Sequence, residues 1–218
     1  MEKLIYKVAM YKSKKYLINK YSLDWYQKFC KESKKCLYEI LPKVPDIGKS
    51  IFPFNYKFAP SYIAWYLTLE KMGISNDEIT QIIWKLNEQM VHIVPAFLMH
   101  KVGKLYFSSF RKKAGQHVRK QETVGVHPYD WQIEYRNVND NCFEIDIKEC
   151  GIKKLAADFY AEGLLPGICR MDYLFANIMN NGFERTKTLG DGDECCNCRY
   201  FLEGSCDWSP EKGFVDRK

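Results

Sequence analysis

Three cysteines fall within four positions, Cys195, Cys196 and Cys198, behind the turn-forming string LGDGD, and Cys206 follows them. Thiols so placed can hold a soft metal ion, attack an electrophilic carbon as thiolates, or simply fill a strand. A zinc ribbon would show two CxxC knuckles, and this spacing does not, so no cofactor is expected, with zinc as the alternative. The histidines, His92, His100, His117 and His127, contain no HExxH pair and are expected to be structural or exposed. A second combination lies upstream. Cys169 and Asp172 are spaced i, i+3, which on a helix sets both on one face, where they could serve as nucleophile and acid–base partner. The competing reading makes Cys169 a small core residue and Asp172 a local cap or ion-pair partner. Arg185 and Lys187 stand two apart on a predicted strand beside the cysteine strand, able to lower a thiol's pKa or to hold a substrate carboxylate. Thr186 and Thr188 offer hydroxyl hydrogen bonds, and Cys150 adds a thiol near the sheet edge.

Two unlike halves must position these residues. Up to about residue 125 the apolar period is helical. In SLDWYQKFCKESKKCLYEIL, Ser22 can cap a helix whose Leu23, Tyr26, Phe29, Leu37 and Ile40 recur at helical spacing. Pro60 and Gly73 bracket another helix, and Ser75 opens the next, with acidic residues in its first turn. A further helical stretch runs to about Gln121. From Pro128 the period becomes two: Trp131, Ile133 and Tyr135, then Phe143, Ile145 and Ile147, around the turn string NVNDN. Helical segments IKKLAADFYAEG and ICRMDYLFANIMNN follow, then two predicted strands, FERTKTLG and ECCNCRYFL. The expected fold is α+β, with a helical region over 1–125 packed against a β-β-α-α-β-β region over 126–218 in one compact unit.

Composition sets the surroundings. The 218 residues are 46% apolar and carry nine cysteines, an odd number that suits a reducing compartment better than a disulfide framework. The first 20 residues scatter lysines among apolar positions, unlike a signal peptide, and no apolar run approaches the roughly 20 residues that span a bilayer. A soluble, cytoplasmic chain with no membrane partner is expected. Residues 1–50 hold 12 lysines against five acidic residues, so most of the net charge of +6 lies there. Those lysines sit at helical spacing opposite apolar residues, which reads as a solvated helix face; no nucleic-acid motif accompanies them.

The string RTKTLGDGDECC, with CRMD before it and ECGIKKL further upstream, resembles the L-2-amino-thiazoline-4-carboxylic acid hydrolase family of bacterial proteins. The resemblance covers roughly the last 90 residues, from Trp131–Glu134 through Cys150-Gly151, Cys169 with Asp172, and Arg185–Leu189 to Cys195-Cys196. It implies hydrolytic opening of a cyclic isothiourea to a carbamoyl-cysteine, with a small-molecule substrate as partner; homo-oligomerisation is left open. Where the family usually has Cys-Cys-Asp-Phe, this chain has Cys195-Cys196-Asn197-Cys198. An amide cannot accept a proton as a carboxylate does, so a non-catalytic binding or sensor domain with a cysteine-lined pocket is the alternative. The family's aromatic at position 198 implies that Cys196 and Cys198 face the core, which leaves Cys195 and Asn197 as pocket residues. The expected catalytic set is thus Cys169, Asp172, Cys195 and Asn197, with Arg185, Thr186, Lys187 and Cys150 binding substrate.

Overall fold

The computed structural model describes residues 2–91 and 95–206. Helix α1 (Glu2–Lys20) buries Ile5, Tyr6, Ala9, Met10 and Leu17 and leaves its lysines exposed, so the basic N-terminal surplus is a solvated helix face there. Helix α2 (Leu23–Ile40) starts where Ser22 Oγ accepts a hydrogen bond from Trp25 N at 3.1 Å, the cap that its sequence announces. The Tyr6 hydroxyl, 2.7 Å from Ser33 Oγ, ties the two helices together.

Helix α3 (Pro53–Lys71) is buried along most of its length and forms the centre of the molecule. It begins at Pro53, not near Pro60, and runs straight through the second proline. A proline inside a helix costs about 3 kcal/mol when nothing compensates. Here Tyr56, Phe58 and Ala59, all before Pro60, are buried, and their packing outweighs the missing N–H. Helix α4 (Asn76–Val91) packs Ile79, Ile82, Ile83 and Leu86 inward; its Glu78 accepts from Tyr21 Oη at 2.7 Å and pairs with Lys20 Nζ at 3.0 Å. Helix α5 (Ala96–Thr123) packs against the sheet and against the last helix.

The C-terminal region contains a four-stranded antiparallel sheet in the order β1-β2-β4-β3. Strands β1 (Gln132–Asn139) and β2 (Cys142–Glu149) form the hairpin that the alternating pattern predicts. Strand β4 (Cys196–Phe201) pairs with β2 so that Ile147 faces Cys196, Ile145 faces Cys198 and Phe143 faces Tyr200. Directly opposed residues share a face. This register therefore puts those six side chains on the helix-covered side and Glu144, Asp146, Asn197 and Arg199 on the other. Strand β3 (Gly182–Glu184) borders β4 and is shorter than the predicted FERTKTLG. The reason is local: Thr186 N and Lys187 N donate to Asn197 Oδ1, and Thr188 N donates to Asp193 Oδ2, so side chains take the N–H groups that a longer ladder would use.

Between the hairpin and β3 lie α6 (Gly151–Asp158), α7 (Leu165–Cys169) and α8 (Met171–Met179), three helices where two helical segments are expected. The chain breaks at Arg170, whose buried guanidinium leaves the helix line to meet Asp191 through two hydrogen bonds of 3.1 and 3.0 Å. The helical region and the sheet share one core: Phe29, Ile63 and Trp65 belong to the same buried cluster as Phe143, Ile145 and Leu155. No helix among the described residues is long and apolar enough to cross a membrane.

Candidate active site

A cavity of about 260 Å³ opens between the helix-covered face of the sheet and helices α3, α4 and α8. Its polar wall is assembled from four short segments. Gly151 lets the chain turn from β2 into α6 beside Tyr129 and Trp131, since a Cβ there would stand 2.2 Å from the Tyr129 carbonyl; this close turn sets Cys150 in the wall. Gly190 does the same for the loop after β3. A Cβ at that position would lie 2.6 Å from Cys169 Sγ, so any larger residue would force the loop or the end of α7 to shift.

Asp172, in the first turn of α8, is held by Arg185, whose Nη1 donates to Asp172 Oδ2 at 2.9 Å and whose Nη2 donates to the Cys169 carbonyl. Arg185 is buried between the rings of Tyr173 and Phe183, with its guanidinium 5.3 and 5.5 Å from their centres. Burial opposes its charge, but the Asp172 carboxylate together with Cys198, Cys169 and Tyr173 outweighs that and raises its pKa, so Arg185 stays a cation. Asp172 responds in the opposite sense: burial raises its pKa above the ordinary carboxylate range, and Arg185 only partly offsets the rise. Its side chain nonetheless keeps 40% of its accessible surface, and it lines this cavity and an adjoining one. A carboxylate with one oxygen anchored, a raised pKa and an open face has the attributes of a general base.

The cavity thiols are Cys150, Cys169 and Cys196. Burial pushes Cys169 up to about 12 and Cys150 up to about 11, so both are thiols at neutral pH. Cys196 Sγ accepts a hydrogen bond from Leu189 N at 3.2 Å and lies 3.4 Å from Thr188 Oγ1. At the far end Tyr62 Oη donates to Asn87 Oδ1 at 2.7 Å, leaving Asn87 Nδ2 buried without a protein acceptor.

The expected site is therefore brought together in part. Cys150, Cys169, Asp172 and Arg185 meet at the cavity. Cys169 and Asp172 reach it from two helices, because Arg170 ends the first, and not from one shared face. Cys195 and Asn197 do not line it. Asn197 faces the other side of the sheet and clamps the loop, with Oδ1 taking Thr186 N at 3.0 Å and Lys187 N at 2.7 Å while Nδ2 donates to Thr186 Oγ1 at 2.7 Å. Cys195 is buried just before β4, where Asp146 and Lys148 act on it. Thr186 is thus a clamp residue, and Lys187 pairs with Glu194 at the surface. This cavity lies inside the layer between sheet and helices, so the core-facing set, with Cys196, faces it, while Asn197 and Thr186 line a separate hollow of about 230 Å³ on the other face. The replacement of a family carboxylate by Asn197 accordingly falls outside this cavity.

Residues with no sequence motif supply the rest of the walls: Phe52, Phe58 and Tyr62 at the start and middle of α3, Asn87 on α4 and Phe175 on α8. The one sequence signal among them is Asn87, an amide on the buried, mostly apolar face of α4. His117 is structural as expected, its Nε2 lying 2.8 Å from the Trp131 carbonyl oxygen; His92 lies outside the described residues. Among the described residues no group of three or more His, Cys, Asp or Glu is placed to hold a metal ion. Compared with known proteins, residues 55–200 match the model of the L-2-amino-thiazoline-4-carboxylic acid hydrolase family, a span that reaches from α3 to β4 and takes in much of the helical half. No curated protein and no solved structure matches the chain.

Proposed function

The chain belongs to the L-2-amino-thiazoline-4-carboxylic acid hydrolase family, and from that premise we propose that it hydrolyses a small cyclic isothiourea or amidine of the 2-amino-thiazoline-4-carboxylate type in the cavity beside Asp172. The observation that carries the reading is Asp172 itself: a half-buried carboxylate of raised pKa, fixed at one oxygen by Arg185 and open at the other to a hollow of small-molecule size. Asp172 takes a proton from a water molecule, and the water oxygen forms a bond to the ring carbon that carries the amino group. The electron pair of the C=N bond moves to the ring nitrogen, which already carries its proton because the head binds as the cationic amidinium. The tetrahedral intermediate then forms the C=O bond and expels ring sulfur or ring nitrogen with the bonding pair, the hydroxyl proton passing to solvent while the leaving atom receives the proton from Asp172. One water is consumed and the product is a carbamoyl-cysteine. Arg185 keeps Asp172 aimed and stays charged throughout. Water is the better nucleophile here than Cys169, whose thiol would have to ionise against a pKa of about 12.

The test is incubation of the purified protein with 2-amino-thiazoline-4-carboxylate, following new thiol and new primary amine separately, so that either direction of ring opening is seen. Turnover is expected, and Asp172→Asn lowers kcat/KM by about a hundredfold or more, the scale of a lost general base. Cys169→Ser leaves activity within about an order of magnitude. A loss with Cys169→Ser as deep as that with Asp172→Asn would move the attack to the thiol, and binding without turnover would make the domain a sensor.

A further inference from the structure

The hollow beside Asp172 does not end with the first cavity. A second, of about 330 Å³, adjoins it across a common wall that includes Phe54, Asp172, Phe175 and Tyr200. Beyond that wall its lining is mostly apolar, with Val102, Phe107, Phe110 and Phe143 from α5 and β2 and Ala176 and Met179 from α8, and its polar members are Tyr106 and Asn181. Among the described residues lining either hollow, Arg185 is the one Lys or Arg, and its two terminal nitrogens already serve Asp172 and the Cys169 carbonyl.

Two physical consequences follow for what can bind. A five-membered ring carrying one amino group and one carboxylate would fill a fraction of this space and leave an apolar chamber empty, whereas ligand pockets as a rule bury most of their ligand's surface. A second carboxylate brought into such walls would also need a cation of its own, since an unpaired buried charge is heavily penalised. The polar end of the hollow suits a cationic amidine head next to the open oxygen of Asp172, and the rest suits hydrocarbon. We propose that the preferred substrate of this chain is a cyclic isothiourea or amidine bearing an apolar alkyl or aryl substituent, with the head against Asp172 and the substituent in the second chamber. This specificity rests on the hydrolytic reading above.

The experiment uses 2-amino-thiazolines that carry carboxylate, hydrogen, butyl or phenyl at C4, assayed for turnover and, in parallel, for the rise in Tm that each compound produces. Phenyl and butyl compounds are expected to exceed the carboxylate in kcat/KM by about tenfold or more, from burial of the added hydrocarbon. Ala176→Phe, which fills the second chamber from α8, brings the phenyl-to-hydrogen ratio of kcat/KM toward unity; Val102→Trp, at a half-exposed site on α5, does the same and serves if Ala176→Phe fails to fold. Turnover that is best with the carboxylate and whose ratios ignore both substitutions overturns the proposed specificity while leaving the hydrolase intact. Absence of turnover with a Tm rise that grows with the apolar group and is lost in Ala176→Phe overturns the hydrolase and keeps the ligand class. Neither turnover nor a Tm rise with any of the compounds removes both.

Discussion

In the proposed hydrolysis Asp172 is the base, and its surroundings fix the sign of its pH dependence. Burial raises its folded-state pKa and Arg185 opposes the rise without cancelling it. As a base it works only when ionised, so kcat/KM climbs with pH and the acid limb is expected above the ordinary carboxylate value of about 3.9. A pH profile of kcat/KM measures this, and a limb at or below that value would remove Asp172 as the base. Asn197 supports the opposite expectation. Its amide holds the loop through Thr186 and Lys187 on the far face of the sheet, next to Asp146 across the β2–β4 pair. Asn197→Asp keeps both acceptor bonds, so turnover should stay within about threefold and stability within about 1 kcal/mol, checked by the same assay and by urea unfolding. The contrast explains what the sequence made legible at this scale. Cys169, Asp172, Arg185 and Cys150 are findable because they are chemically potent types within three recognisable strings. The face that Asn197 takes depends on where the cavity lies relative to the helix layer, which no alternation pattern records.

At the scale of elements, the long periodic segments were legible and the interruptions were not. The β1–β2 hairpin, the Ser22 cap and the helical first half follow from period and turn chemistry alone. The break at Arg170, the short β3 and the helix that runs through Pro60 all arise from contacts distant in sequence, with Asp191, with Asn197 and with the central core. The loop after β3 is the element on which the site depends most, for it seats Gly190 against Cys169 and sends Leu189 N to Cys196 Sγ. Gly190→Ala places a methyl group 2.6 Å from Cys169 Sγ and 3.2 Å from Leu165 Cβ, so the loop or α7 must shift. Overpacking of this kind costs about 1–3 kcal/mol. The collision is with the sulfur first, so Cys169→Ala in the same chain restores most of the loss. A double-mutant cycle in urea measures the coupling, and additive effects would mean that the two groups do not meet.

Over the whole molecule, the buried thiols and phenols dictate how the fold responds to alkali. Burial raises Cys150 to about 11 and Cys169 to about 12, and it lifts Cys198, Tyr62 and Tyr200 well above their ordinary values. In the unfolded chain these groups ionise near their reference values of about 8.5 for thiols and about 10 for phenols. Below the unfolded values both states hold their protons and these groups give stability no pH dependence. Above them the unfolded chain loses protons that the folded chain retains, so stability falls with rising pH until the folded values are passed. Tm is therefore expected to be flat near neutrality and to decline from about pH 9, steeply enough to report several retained protons. Because Cys169 borders a cavity, Cys169→Ala removes one of those protons with little loss of packing. The variant should match the native protein at pH 7 to within a few degrees and lose Tm more slowly between about pH 9 and 11. Parallel curves would mean that the thiol ionises in the folded state as it does in water. That result would return Cys169 to candidacy as the attacking group and withdraw the argument that water takes that role.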